Sequence, residues 1–223
     1  MRQEAGAAFQ RSDGVRYAEA MGEPVRPRGD TELVQIVDAA VADAARRSGA
    51  WLLCGPGCTQ CCIGVFPISQ LDAARLREGL ALLTASDPER AAAVRQRAEA
   101  SVARLSDEFP GDPEIGALDE SRAEMLEDFA NDEPCPALDP ATGLCDVYSA
   151  RPMTCRVFGP PLRVEGGLGV CELCFRGATE EEIAGCEVHL DCESLEESVS
   201  AEAERVSGRG GDTLVAWALL ARD

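Results

Sequence analysis

The sequence predicts a mainly α-helical protein whose helices frame irregular, cysteine-rich loops, with one small β-hairpin. Ala and Leu supply most of the apolar content, whereas aromatic residues make up only 4% of the chain, a balance that favours helices over sheet. Apolar residues recur at helical spacing in several stretches, and prolines and glycines crowd the stretches between them. A chain of 223 residues fits one domain of ordinary size.

The N-terminal part divides into an arm and a first helix. Residues 1–29 mix glycine, proline and charge without periodicity, so we expect a loose N-terminal arm. From Asp30 apolar residues recur at helical spacing, with Thr31 as the expected cap, until Ser48 and the following glycine end the helix. Residues 30–223 are therefore expected to form a single domain.

Two further helices carry clear start signals. Ser69 and Asp72 resemble a capping box, with Asp in place of Glu, and predict a helix that runs to about Leu83. Pro88 suits the first position of the next helix, which should end near Leu105.

The second half of the chain contains shorter elements. Six prolines between residues 131 and 176 exclude long helices there, and leave short turns and one small hairpin near residues 163–170. The remaining helices are predicted at residues 119–129, 179–190, 192–206 and 213–220, the last one capped by Asp212.

Net charge and hydropathy exclude two kinds of partner. The chain carries 40 acidic and 21 basic residues, a formal charge of −19, and such a field repels phosphate backbones and anionic lipid surfaces. Its apolar stretches are short and interrupted by charge, so no segment is expected to span a membrane. We therefore expect no nucleic-acid partner and no membrane association.

Cysteine use indicates a metal. The chain has 11 cysteines, an odd number that cannot be paired completely within one chain. The N-terminus lacks the apolar segment of a secretion signal, which predicts a cytoplasmic protein with reduced thiols. Clustered thiols in that compartment are typical of metal ligands or redox groups.

The first cluster is Cys54-x3-Cys58-x2-Cys61-Cys62, four thiols within nine residues. A Cys-x2-Cys turn lets two sulfurs converge on one metal. Adjacent cysteines point in different directions, so Cys61 and Cys62 fit a polynuclear site, or else one binds while the other packs. The competing interpretation, that all four are small buried apolar residues, does not account for so dense a group.

A second group contains Cys135, Cys145 and Cys155. These residues can meet the first cluster only in the folded protein, a common way to complete a metal site. Arg151 and Arg156 flank Cys155, and their positive charges would offset the negative charge of a thiolate-ligated centre. Alternatively, both arginines face solvent.

At these residues the sequence resembles the YkgJ-like cysteine-cluster family, described as zinc- or iron-chelating domains. The resemblance covers roughly residues 50–176 and depends on Cys-x2-Cys-Cys at 58–62, Cys-Pro at 135–136, Cys-Asp-Val-Tyr at 145–148 and Arg-Pro-Met-Thr-Cys-Arg at 151–156. The flagellin lysine N-methylases look like more distant relatives. This chain has three residues between Cys54 and Cys58, whereas the family pattern has two, so Cys54 matches least well.

The last cysteines leave two interpretations open. Cys171-x2-Cys174 followed by Cys186-x2-His189 has the form of a Cys3His zinc site. Alternatively, Cys171 and Cys174 join the main cluster, while Cys186 and His189 lie on a surface helix. Cys192 is expected to take no part.

The resulting hypothesis is a cytosolic protein that binds a metal ion as an iron–sulfur cluster or other iron centre, with zinc as the alternative cofactor. Three classes compete: a loop-stapling interaction module, an electron-transfer or redox-sensing protein, and a protein-modifying enzyme such as the methylase resemblance implies. No motif identifies catalytic residues. The candidate ligands are Cys54, Cys58, Cys61, Cys62, Cys135, Cys145, Cys155, Cys171 and Cys174, with Arg151 and Arg156 beside the cofactor.

Overall fold

Helices dominate the fold, which a computed structural model describes for residues 26–164 and 167–221. Most of the predicted N-terminal arm, residues 1–25, lies outside this part of the chain. The helices are α1 (Asp30–Ser48), α2 (Gln70–Ser86), α3 (Pro88–Leu105), α4 (Met153–Val157), α5 (Glu180–Ala184), α6 (Glu193–Ser207) and α7 (Val215–Leu220).

The caps of α2 and α3 form as their sequences predict. The Ser69 hydroxyl accepts a hydrogen bond from the Asp72 backbone N–H at 3.2 Å. Asp87 caps α3 in the same way, accepting from the Arg90 N–H at 3.1 Å, and Pro88 occupies the first turn. Each cap satisfies one of the amide groups that a helix start leaves without an intrahelical partner.

Short 3-10 helices and hairpins connect the α-helices. The 3-10 segments are Gly49–Trp51, Gln60–Cys62, Ser106–Glu108, Glu120–Glu127 and Tyr148–Ala150. Three antiparallel hairpins pair β1 (Gly111–Asp112) with β2 (Ala117–Leu118), β3 (Leu138–Asp139) with β4 (Leu144–Cys145), and β5 (Leu162–Val164) with β6 (Gly167–Gly169). The fold is therefore mainly α with small hairpins, as predicted.

The hydrophobic core lies mostly between α2, α3 and α7. Leu76 and Leu80 of α2 pack with Val94 of α3 and Leu219 of α7 in one buried cluster. Trp217 of α7 stacks at a tilt on Phe109, with ring centroids 4.3 Å apart. A second cluster joins α1 to α6, and the two clusters enclose the start of α2.

A buried ionic group connects three helices. Arg75 of α2 is 1% exposed and donates from Nε to Asp30 of α1 at 2.6 Å and from a terminal nitrogen to Asp72 at 2.5 Å. The same Asp72 oxygen accepts from the backbone N–H of Met153, the first residue of α4, at 3.0 Å. Because unpaired buried charges are costly, these contacts hold α1, α2 and α4 together.

Several predicted boundaries differ from the structure. The predicted final helix begins at Val215 instead of residue 213, because the Thr213 backbone exchanges two hydrogen bonds of 2.9 Å with Ile68. The helix predicted at residues 179–190 ends at Ala184, before Gly185. The helix predicted at residues 119–129 is a 3-10 helix, Glu120–Glu127, and Thr31 lies inside α1 while Gly29 takes the capping position.

None of the described helices combines the length and the apolar character that crossing a membrane requires.

Candidate metal centre

The cysteines separate into two groups in the folded chain. All 11 lie within the described residues, and none is in a disulfide there. Mutual proximity and electrostatic interaction define a five-cysteine group and a four-cysteine group. The five-cysteine group contains Cys61, Cys62, Cys135, Cys145 and Cys155, and the four-cysteine group contains Cys54, Cys58, Cys171 and Cys174.

Backbone pairing brings the first two segments of the five-cysteine group together. The Cys135 N–H donates to the Cys62 carbonyl at 2.8 Å. Ile63 forms an antiparallel bridge with Pro134, and the Gly64 N–H donates to the Glu133 carbonyl at 2.9 Å. The vicinal cysteines therefore lie directly beside the segment that carries Cys135.

The β3–β4 hairpin positions Cys145 next to Cys135. Leu138 pairs with Cys145 in the hairpin register, and the Asp146 N–H donates to the Ala137 carbonyl at 2.8 Å. The backbone N–H of Ala137 bonds to the Cys135 sulfur, and that of Val147 bonds to the Cys145 sulfur. Amide donors aimed at sulfur stabilise thiolates and are typical of the tight turns that hold metals.

Helix α3 holds this hairpin through one buried carboxylate. The Asp146 side chain is 1% exposed and pairs with Arg90 and with Arg97, the latter at 2.5 Å. Arg97 also donates from Nε to the Pro136 carbonyl at 2.8 Å. The two cysteine-bearing turns are thus fixed to a long helix by charge-assisted hydrogen bonds.

Cys155 completes the five-cysteine group from α4. It lies two residues after Met153, whose N–H is held by Asp72. Its thiol interacts electrostatically with Cys135, Cys61 and Cys145. Three segments far apart in sequence therefore contribute to one group.

The thiols of this group differ in how readily they ionise. A hydrogen bond from the Cys62 thiol lowers the pKa of Cys61 to about 6, and Arg151 contributes to the same effect. That hydrogen bond raises the pKa of Cys62. Burial raises the pKa of Cys135 to about 11 and raises those of Cys145 and Cys155. Without a cation, most of these thiols are protonated at neutral pH, and a metal would supply the missing positive charge.

The two arginines beside Cys155 share Asp38 of α1 as an ion-pair partner, Arg151 at 3.6 Å and Arg156 at 2.9 Å, but their other contacts differ. The Arg151 side chain is 17% exposed, and its charge acts on Cys61 and Cys145. Arg156 instead donates to both carboxylate oxygens of Asp38 of α1, at 3.0 and 2.9 Å, and to the backbone carbonyls of Ser149 and Arg151. Its described hydrogen bonds thus join α4 to α1, which differs from the expectation that it faces the cofactor.

The four-cysteine group is more compact. The sulfurs of Cys54, Cys171 and Cys174 all lie within 4.8 Å of one another. The backbone N–H of Leu53 donates to the Cys174 sulfur at 3.4 Å. Cys171 and Cys174 form a tight turn, closed by a 2.9 Å bond from the Cys174 N–H to the Cys171 carbonyl.

Two backbone features hold this group together. Phe175 adopts the left-handed conformation with φ of 56°, which is uncommon for a residue with a side chain. Its N–H donates to the Trp51 carbonyl at 3.0 Å and so ties the turn to the first cysteine segment. Gly159, with φ of +124°, approaches Cys54 so closely that an added Cβ would lie 3.1 Å from the sulfur.

Cys58 is the fourth member of this group. Desolvation raises the pKa of Cys54 to about 12, and the thiols of Cys174, Cys171 and Cys58 add to the effect. Cys58 follows a tight turn in which its N–H donates to the Gly55 carbonyl at 3.0 Å. The Cys58 thiol therefore acts on Cys54, and the expectation that Cys58 lies with Cys61 stays a prediction.

The last cysteines and the histidine do not assemble a separate Cys3His site among the described residues. Cys186 is buried and packs with Cys171, Cys174 and Phe175, but His189 is exposed. Cys192 is buried in the cluster between α1 and α6, away from both groups. Helix α5 ends before Cys186, so Cys186 and His189 do not share a helical turn.

The two groups suit different kinds of metal centre. Four thiolates around one zinc ion at about 2.3 Å lie about 3.8 Å apart, a spacing compatible with the compact sulfurs of the four-cysteine group. Within the described residues, the five-cysteine group contains no three sulfurs that all lie within 4.8 Å of one another. A centre with several iron atoms requires wider spacing, since the metal atoms lie between the ligands. The two donor sets therefore fit the two metals that the sequence predicts, iron and zinc.

Helical scaffold and thiol groups together define a cysteine-cluster, metal-chelating class of protein. Residues 53–174 match the family model CxxCxxCC, described as "Putative zinc- or iron-chelating domain", and the chain belongs to this family. No curated protein and no solved structure matches the chain. The expected similarity to lysine N-methylases stays a prediction.

Sequence reasoning missed the residues that position the cysteines. Asp72 appears in the sequence only as a helix-cap residue, yet its second role is to hold α4. Asp146 follows Cys145 directly, and an acidic residue beside a candidate ligand was the signal that could have found it. Gly159 precedes two prolines, a combination typical of a close backbone approach.

Proposed function

We propose that this protein holds an iron centre, either an iron–sulfur cluster or another polynuclear iron site, in the five-cysteine group. The observation that supports it best is the convergence of five thiols from three segments, with amide donors on two of the sulfurs. The number of thiols exceeds what one zinc ion uses, and vicinal Cys61 and Cys62 suit a centre with more than one metal.

Residues 30–223 act as one unit in this proposal, since cysteine-bearing loops and helices share the same cores. The protein works in the cytoplasm, where thiols stay reduced and metal-accessible. The iron centre would transfer electrons or sense redox state; the five cysteines are only partly exposed, which limits access by bulky substrates.

Anaerobic purification followed by absorption spectroscopy and iron and sulfide analysis tests the proposal. A brown protein with charge-transfer absorption at roughly 400 nm and acid-labile sulfide is expected for an iron–sulfur cluster. Absorption without sulfide would indicate another iron site. A colourless protein that carries only zinc would contradict the proposal and favour the loop-stapling module.

Cys61→Ser gives the residue-level test. The variant is expected to lose most of its iron and to melt several degrees lower, because ligand binding at such loops is also folding free energy. Cys192→Ser is the matched control, since Cys192 is a buried cysteine outside both groups. Unchanged iron in Cys61→Ser would show that Cys61 is a packing residue, and equal iron loss in both variants would show that the loss is not specific to the five-cysteine group.

A loop-stapling zinc module is the second candidate. The loops around both groups contain little regular structure, and short hairpins of this kind are marginal without further support. A metal that cross-links them would stabilise the fold as structural zinc does. Zinc at full occupancy with no iron in anaerobically purified protein would favour this candidate.

A further inference from the structure

We propose that Cys54, Cys58, Cys171 and Cys174 form a second, mononuclear thiolate site of the zinc type, separate from the five-cysteine group. This inference goes beyond the proposed iron centre and does not depend on it. Cysteines from the two ends of the cysteine-rich region, residues 54–58 and 171–174, would then bind the same metal ion.

The first observation is the geometry of three sulfurs. Those of Cys54, Cys171 and Cys174 lie within 4.8 Å of one another, so a modest contraction brings them to the roughly 3.8 Å expected around one tetrahedral zinc ion. Cys171 and Cys174 have the Cys-x2-Cys spacing that presents two sulfurs to one ion, and both residues are buried.

The second observation is the shell of contacts around these sulfurs. The Leu53 N–H already donates to the Cys174 sulfur at 3.4 Å, the kind of bond that stabilises a bound thiolate. The Phe175 N–H donates to the Trp51 carbonyl, and this bond ties the uncommon left-handed backbone of Phe175 to the segment carrying Cys54. A sparsely populated backbone conformation persists only where the surrounding contacts fix it, and such positions cluster at ligand sites.

The third observation concerns the choice of the fourth ligand. Cys58 lies close enough to Cys54 for the two thiols to interact. Cys58 and Cys186 both fall outside the set of three sulfurs that lie within 4.8 Å of one another, and His189 is exposed. The fourth position is assigned to Cys58, because its thiol acts on that of Cys54, whereas Cys186 is buried in an apolar cluster with Cys171, Cys174 and Phe175.

The two groups are also electrically distinct. The strongest thiol partners of Cys54 are Cys174, Cys171 and Cys58. Those of Cys62 are Cys61, Cys135 and Cys145. One zinc ion held by four thiolates carries a charge of about −2, and the four thiols lose their protons when the ion binds. Two separate sites keep the negative charge of the zinc centre apart from that of the iron centre.

Metal analysis of paired variants tests the inference on the full-length protein. The protein is produced with both iron and zinc in the medium, and each metal is measured per chain. Cys171→Ser is expected to lower zinc from about one to about 0.1 per chain and to leave iron unchanged. Cys61→Ser is expected to lower iron and leave zinc unchanged, so failure of this inference and failure of the iron proposal are distinguishable.

Two controls identify the fourth ligand and the coordination. Cys58→Ser is expected to lose zinc, whereas Cys186→Ser is expected to retain it. Zinc-edge X-ray absorption of the unaltered protein should give four sulfur neighbours at about 2.3 Å, a readout that does not depend on any variant folding well. Equal loss of both metals in Cys171→Ser and Cys61→Ser, zinc bound by nitrogen or oxygen, or no stoichiometric zinc after addition to apoprotein would each overturn the inference.

Discussion

Arg151 and Arg156 lie on either side of Cys155 in sequence, and both pair with Asp38, but their other contacts differ. Arg151 lies over the Tyr148 ring, with its guanidinium carbon 4.1 Å from the ring centroid, and its charge reaches Cys61 and Cys145. Arg156 is buried and bonds to Asp38 and to backbone carbonyls. At the scale of single residues, only Arg151 is arranged to offset the negative charge of a thiolate-ligated centre.

We expect Arg151→Gln to keep the metal stoichiometry but to lose metal to a chelator about fivefold faster, since one charge interaction at about 4 Å in water-like surroundings is worth about 1 kcal/mol. The rate is measured by competition with a coloured chelator, and Arg151→Lys should restore it only in part, because an ammonium lacks the planar fork.

For Arg156→Gln we expect a less stable fold and an unchanged rate of metal loss. The substitution leaves two backbone carbonyls without their donor and Asp38 with only the longer pair to Arg151 at 3.6 Å, which costs about 2 kcal/mol and lowers the melting temperature by roughly 4–8 °C. Chelator competition of this variant, corrected for any unfolded fraction, should match the unaltered protein. Fast metal loss in Arg156→Gln combined with normal melting would reverse the two assignments.

The sequence identified the residue types at the site, but not the directions in which their side chains point. The cysteine spacing identified the candidate ligands, because thiols at such density are typical of metal or redox sites. The pairing of the Cys58 thiol with that of Cys54, across a turn closed by the hydrogen bond from the Cys58 N–H to the Gly55 carbonyl, was not predicted. Adjacent positions in a loop carry no periodicity from which side-chain direction follows.

At the scale of elements, α4 has only five residues and depends on its neighbours for its position. A helix of this length is unstable alone, and Asp72 of α2 binds the N–H of its first residue, Met153. Asp72 also pairs with the buried Arg75. The position of Cys155 therefore depends on a carboxylate in another helix.

Asp72→Asn is expected to destabilise the fold by about 3 kcal/mol, because it leaves a buried guanidinium without one of its carboxylate partners. Because Cys155 moves with α4, iron retention against a chelator should fall as well. Denaturant unfolding and chelator competition measure the two effects.

Asp43→Asn is the matched control for this variant. Asp43 pairs with Arg46 and Arg47 on the exposed face of α1, where its side chain is 52% exposed, and such pairs contribute less than about 1 kcal/mol. Equal destabilisation by the two substitutions would show that the buried group does not hold α4.

Elements with local signals were predicted well, and those fixed by distant contacts were not. The caps at Ser69 and Asp87 depend on residues three positions apart, so the sequence contains all that is needed. The start of α7 depends on the pairing of Thr213 with Ile68, which no local pattern encodes. The β1–β2 and β3–β4 hairpins have two-residue strands, too short for alternation to be recognised.

At the scale of the whole molecule, the two tryptophans report on different regions. Trp51 lies beside the four-cysteine group and is 36% exposed, whereas Trp217 is buried against Phe109 in the helical core. Each can be observed alone in Trp217→Phe or Trp51→Phe, since the chain has 2 tryptophans.

We expect the metal-loaded protein to unfold in one transition, with the same midpoint for both reporters, as the predicted single domain of residues 30–223 requires. In the metal-free protein the Trp51 signal should change at a lower denaturant concentration, since few backbone bonds hold its loop. Urea unfolding followed by fluorescence measures both. Separate midpoints in the loaded protein would divide the chain into two independent units.

The hydrogen bond from Leu53 to the Cys174 sulfur has a consequence for how this family's segment can be rearranged. The matched segment begins at residue 53 and ends at residue 174, so its first and last residues touch. The chain enters and leaves the segment at one point, which makes it a closed loop in space. Segments with adjoining ends tolerate circular permutation and insertion into other chains. A metal bound by the four-cysteine group would therefore hold the two ends of this segment together.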